Sequence, residues 1–181
     1  MKLKYLFYGI VPLSLYLLCS SCIKERTYNT PASEIIHDML LLEGSKINNT
    51  TLTNIAGETI ELSSIVDSSS KTVICLYNLD CTSCAEKEIK ILKSFIGTRH
   101  HNKIMIVANF SSLRKMKIFQ QEIGIETYND KDMNLMEDIN VDGNTFIFKL
   151  MPDMRAYMIM DLEKYPKFSP VYYDAAIKNP N

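Results

Sequence analysis

The sequence predicts an α/β fold, a central mixed sheet flanked by helices with an added N-terminal β-hairpin. Three observations predict it. Residues 72–77 and 103–108 are continuous apolar runs of strand length, the pattern of strands buried on both faces. Helical patterns, with apolar residues three and four apart, follow each of them, over 84–96 and from Leu113 to Ile123. Such strand–helix–strand alternation makes the central strands parallel, because each crossover returns the chain in the same direction. Near the C-terminus, residues 145–150 and 155–161 form two further runs joined by Met151-Pro152-Asp153-Met154, a turn with proline in a favoured place. They add antiparallel strands.

The elements read in order as follows. Met1-Lys2-Leu3-Lys4 supplies positive charge, residues 5–18 are almost wholly apolar or aromatic, and Cys19-Ser20-Ser21-Cys22 follows. This is the layout of a secretory signal peptide over residues 1–21. The apolar stretch is short for a membrane span, which needs roughly 20 residues. The small residues before Cys22 resemble a bacterial lipobox. That resemblance implies that Cys22 becomes the lipid-modified first residue of the mature chain and holds it at a membrane. Residues 22–49 read as a lipid-anchored tether and N-terminal extension, with a short helix over 34–42. The globular domain occupies 50–181.

Within it, residues 51–55 and 59–62 flank Ala56-Gly57-Glu58 as a small hairpin. A short helical turn spans 63–66. Gly97 ends the first long helix. Ser111-Ser112 caps the second, and Gly124 stands past its end. A short strand over 125–128 is expected nearer the sheet edge. Residues 131–139 form a loop with a helical turn, and a last helix covers 171–178.

Cys81-Thr82-Ser83-Cys84 carries the chemistry. It follows the first apolar strand and opens the first long helix. A helix N-terminus presents free N–H groups and partial positive charge, so it stabilises a thiolate. Cys81 would then attack a disulfide, and Cys84, one turn later, would resolve the mixed disulfide. The chain has 5 cysteines. With Cys19 lost in the signal and Cys22 lipidated, Cys75, Cys81 and Cys84 remain. Cys75 lies inside an apolar strand and reads as a small buried hydrophobe. No framework of structural disulfides is available, so the Cys81–Cys84 pair reads as redox-active. Loss of Lys2 and Lys4 takes the net charge from −1 to −3, which gives no reason to expect nucleic-acid binding. Met151, Met154, Met158 and Met160 read as core packing rather than a copper site. His100-His101 reads as a solvated loop, since the sequence places no third ligand, and His37 has no role. No metal site and no cofactor are expected.

The element order, with the stretch 51–65 and the run from Lys71 to Cys84, resembles the thioredoxin fold. More narrowly it resembles the envelope-located thioredoxin-like lipoproteins of the TlpA and ResA type. The resemblance covers about residues 50–178. It implies a thiol–disulfide oxidoreductase of the bacterial cell envelope, lipid-anchored and facing outside the cytoplasm. Its partners would be envelope proteins with cysteines and a membrane thiol electron donor. The implied active-site loops hold Asp80, Thr82, Ser83, Asn144 and Thr145. The chain departs from the family in three places. Asp80 stands where an aromatic residue usually precedes the first cysteine, and its charge opposes the helix dipole. Glu86-Lys87-Glu88-Ile89 lacks the usual helix proline. Residues 141–148 lack the usual cis-proline facing the cysteines, so that loop is expected to be trans. A peroxidase is not expected, because no proline and threonine are spaced ahead of Cys81. Two alternatives stand beside the oxidoreductase: a non-catalytic accessory lipoprotein of the same fold, and a metal carrier using the two cysteines, since thiolates are soft ligands.

Overall fold

Strand β4 (Lys71–Leu76) organises the structure, a computed structural model that describes residues 44–66, 69–77, 79, 82–96 and 103–178. The described residues lie in one compact unit, Ile35–Asn181. Five of the six residues of β4 are fully buried, because side chains alternate between two faces and both faces are covered. Ile74 and Leu76 point into one apolar cluster, and Val73 and Cys75 into the other. Fully burying each such aliphatic side chain is worth about 1.5–3 kcal/mol.

The other elements are β1 (Ser45–Lys46), β2 (Thr51–Thr53), β3 (Thr59–Glu61), α1 (Leu62–Val66), α2 (Thr82–Ile96), β5 (Ile104–Ala108), α3 (Leu113–Ile123), β6 (Thr127–Asn129), α4 (Asn134–Ile139), β7 (Thr145–Leu150), β8 (Arg155–Asp161) and α5 (Ser169–Lys178). The described strands form one sheet in the order β1-β8-β7-β4-β5-β6-β2-β3. As expected, β4, β5 and β6 are parallel, with Ile74 opposite Ile106 and Val107 opposite Tyr128. β7 runs antiparallel to β4, with Thr145 opposite Leu76, and β8 antiparallel to β7. Helices α2, α3 and α5 contribute Leu92, Met116 and Tyr173 to the Ile74 cluster. Helices α1 and α4 contribute Leu62 and Leu135 to the Val73 cluster.

Two placements go beyond expectation. β6 lies nearer the edge than β4 and β5, but the β2–β3 hairpin pairs outside it through Thr53 and Asn129 and takes the edge itself. β1 was not legible: two residues pair with Ala156 and Arg155 of β8, and buried Ile47 follows them. The expected helix over 34–42 and Gly97 lie outside the described residues.

Local signals hold elsewhere. Ser112 is extended at φ −161° and its hydroxyl accepts a hydrogen bond from the Lys115 amide, capping α3. Gly124 adopts φ +74° and its N–H returns to the Gln120 carbonyl, a left-handed C-cap that glycine accommodates without strain. Met158 and Met160 pack against the Ile74 cluster, while Met154 packs against the opposite one. The methionines are thus spread over two core faces.

Helix α2 is pinned to α5 by a buried carboxylate. Glu88 accepts hydrogen bonds from the hydroxyls of Ser169 and Tyr173. Burial raises its pKa, and the two hydroxyls only partly oppose that. A carboxyl with a raised folded pKa binds its proton more tightly when folded. Its contribution to stability is therefore greatest at low pH and is lost as pH rises through the folded value. Glu88→Gln is expected to match or exceed the wild-type unfolding midpoint at pH 7 and to gain less on acidification to pH 5. A variant clearly weaker at pH 7 with an unchanged pH profile would contradict this.

Candidate functional site

The parallel strands β4, β5 and β6 all end at one edge, and the residues just beyond them form the candidate site. In open α/β sheets that carboxyl edge is where ligands bind. Tyr77 follows β4 and is 7% exposed, and Leu79 leads toward the cysteines. α2 begins at Thr82, so its first turn contains the backbone of Ser83 and Cys84. Cys81 immediately precedes it in the chain. Cys81 and Asp80 lie outside the described residues, as do the side chains of Thr82, Ser83 and Cys84. The pairing of the two cysteines and the effect of Asp80 on Cys81 therefore lie outside them too, as do His37, His100 and His101.

The structure places Asn144 and Thr145 at the end of β4. The Tyr77 amide donates to the Asn144 carbonyl at 2.8 Å, and buried Thr145 begins β7 opposite Leu76. Among the described residues no peptide bond is cis. The approach to this loop is close-fitting. A Cβ on Gly143 would lie 2.6 Å from the Asp161 carboxylate, whose Oδ1 accepts from the amides of Glu163 and Lys164.

Beneath Tyr77 lies a buried polar network that sequence reasoning missed. The Tyr77 hydroxyl donates to Asp130 Oδ2 at 2.6 Å, and the Leu135 amide donates to the same oxygen at 3.1 Å. Asn134 Nδ2 reaches Asp130 Oδ1 at 3.4 Å. Asp130 is 1% exposed, and its own amide donates to the Ala108 carbonyl at the end of β5. The network therefore ties the ends of β4 and β5 to the start of α4. The available signal was positional: Tyr77, Asn109 and Asp130 all fall just beyond the ends of parallel strands.

Cys75 is a free, fully buried thiol, as expected. Burial pushes its pKa well up and the Asp130 charge adds to this, while a Tyr77 hydrogen bond opposes them. Burial, with the Asp130 charge and the hydrogen bond to it, pushes the Tyr77 phenol far up as well. Both groups stay protonated near neutral pH, so Cys75 is not a nucleophile.

Beside Tyr77 a cleft of about 200 Å³ opens, lined by Tyr77, Leu79, Asn109, Phe110, Ser111 and Lys115. Among the described residues, no three His, Cys, Asp or Glu side chains are grouped to hold a metal ion.

Solved structures share this fold. The thioredoxin domain of a thiol-disulfide oxidoreductase from Bacteroides vulgatus matches 70% of this chain and 97% of its own, at a TM-score of 0.51 and 17% identity. A thiol:disulfide interchange protein from Bacteroides sp. matches 76% of this chain and 91% of its own, at 0.52 and 13%. The fold is that of thioredoxin. Peroxidoxin BcpB from Mycobacterium tuberculosis shares the thioredoxin fold at a TM-score of 0.55 and 14% identity, over 75% of this chain and 94% of its own. No family model matches the chain, and no curated protein sequence matches it. Within this thioredoxin fold, β4 is the strand that leads into the Cys-x-x-Cys segment, and β7 brings the 143–145 loop to its end.

Proposed function

We propose that the chain is a membrane-anchored thiol–disulfide oxidoreductase of the bacterial cell envelope, working through Cys81 and Cys84 on envelope protein disulfides. One observation carries the reading: α2 starts at Thr82, directly after Cys81, at the carboxyl end of the central strand of a thioredoxin fold. The first turn of that helix supplies unpaired N–H groups and partial positive charge, which favour a thiolate at its start. The resemblance to TlpA- and ResA-type lipoproteins agrees with it.

The Cys81 thiolate attacks one sulfur of the substrate disulfide. A Cys81–substrate bond forms, and the other substrate sulfur leaves as a thiolate that takes a proton. The Cys84 thiolate then attacks Cys81 sulfur and expels the second substrate thiolate. The substrate gains two electrons and two protons, and the protein is left with a Cys81–Cys84 disulfide. A thiol donor at the membrane would restore the dithiol by the same exchange in reverse. Asp80 would weaken the thiolate at Cys81 and so temper its reactivity.

The test is reduction of an insulin-type disulfide by the reduced protein and by Cys81→Ser. Turnover by the first alone is expected, and equal rates would remove Cys81 from its role. Anchoring rests on Ser20-Ser21-Cys22. Among the described residues no helix is long and apolar enough to cross a membrane. Cys22→Ser is expected to abolish fatty-acid labelling and release the protein from the membrane fraction. Unchanged labelling would rule out acylation at Cys22.

A further inference from the structure

We propose that the cleft beside Tyr77 receives an acidic side chain of the substrate polypeptide, close to the disulfide under attack; this rests on the oxidoreductase reading. At about 200 Å³ the cleft has room for one side chain. Part of its wall is apolar, made by Tyr77 and Phe110, each 7% exposed, and by the partly buried Leu79. Two of its polar groups are already engaged. The Tyr77 hydroxyl donates to Asp130, and Asn109 Nδ2 donates to the Lys131 carbonyl at 3.2 Å. The Ser111 hydroxyl and the Lys115 ammonium, both on exposed residues, are available to a ligand.

Among the described residues no carboxylate lines the cleft. Lys115 makes no ion pair among the described residues, and exposed Arg114 and Lys117 flank it on a helix with no acid in its first turn. An aspartate or glutamate fits both halves: methylenes against Leu79 and Phe110, carboxylate toward Lys115 and Ser111. The cleft is well placed for this. Two Cα steps of about 3.8 Å keep Cys81 within roughly 7.6 Å of Leu79. The cleft lies on the β5 side of β4, whereas the 143–145 loop lies on the β7 side. An acidic residue held here would thus be read on the flank opposite that loop.

The experiment uses peptides with one central serine in place of cysteine. Each carries a single Glu or Lys at one of three positions on either side. Binding is measured by fluorescence titration to the wild type, Lys115→Glu and Lys115→Ala. At one position or more, the wild type is expected to prefer Glu over Lys by about 1.5- to 5-fold, the range for an exposed charge pair. Lys115→Glu should reverse that preference, and Lys115→Ala should erase it. No preference at any position, or one unchanged in both variants, overturns the proposal. Cysteine versions of the same peptides, presented as disulfides, report the redox reading separately. Equal binding with reduction of every peptide removes the cleft's role and leaves the oxidoreductase standing. Charge-selective binding with no reduction keeps the acidic-side-chain cleft and removes the oxidoreductase.

Discussion

Cys81→Ser is expected to reduce disulfide turnover to the uncatalysed background, and Cys84→Ser to turn the protein into a trap. The first substitution removes the atom that forms the bond to substrate. An alcohol at a helix start is not ionised near neutral pH, so no nucleophile replaces it. The second leaves the attack intact but removes the thiolate that resolves it. Mixed disulfides through Cys81 should then accumulate and be visible as reducible higher-mass species. Alkylation of the reduced wild type should modify Cys81 first. Cys75 should react only after unfolding, because it is fully buried and its pKa is held well up. Fast labelling at Cys75 or Cys84 would reassign the roles.

The largest stability effect is expected at Asp130. Its carboxylate accepts from the Tyr77 hydroxyl, the Leu135 amide and Asn134 Nδ2, and it is 1% exposed. Asp130→Ala would leave a buried phenol and a buried amide without an acceptor, at about 1–3 kcal/mol for each such donor. Tyr77→Phe removes a donor instead and leaves Asp130 its two other partners, so a loss nearer 1 kcal/mol is expected. Urea unfolding of both variants should show the larger midpoint shift for Asp130→Ala. A smaller shift there than for Tyr77→Phe would mean that the network does not tie the site to α4.

The strands and helices that were legible carry local signals. β4 and β5 are continuous apolar runs, and α3 is bracketed by Ser112 and Gly124. β7 and β8 match the two runs around Pro152. What escaped reading depends on partners far along the chain. β1 is two residues long and exists through pairing with β8, so no local periodicity announces it. β6 is short, and its interior place follows from the hairpin that docks outside it. The same holds at the site. The Cys81–Cys84 spacing is a local motif, whereas Tyr77 and Asp130 are 53 residues apart in sequence and meet through the sheet. An aspartate after a short strand looks like a solvated turn until the burial around it is seen. Lys115 likewise reads as one more cation on a polar helix face, and its place on the cleft follows from how α3 sits beside the end of β5.

The most direct measurement is a redox titration of the purified protein in thiol–disulfide buffers, with the bridge located by mass spectrometry at each potential. A single two-electron transition is expected, with the oxidised form carrying one bridge between Cys81 and Cys84 and Cys75 remaining a thiol. A protein in which Cys81 and Cys84 stay unlinked under oxidising buffer, or in which Cys75 takes part in the bridge, would contradict the assignment of this pair as the redox centre.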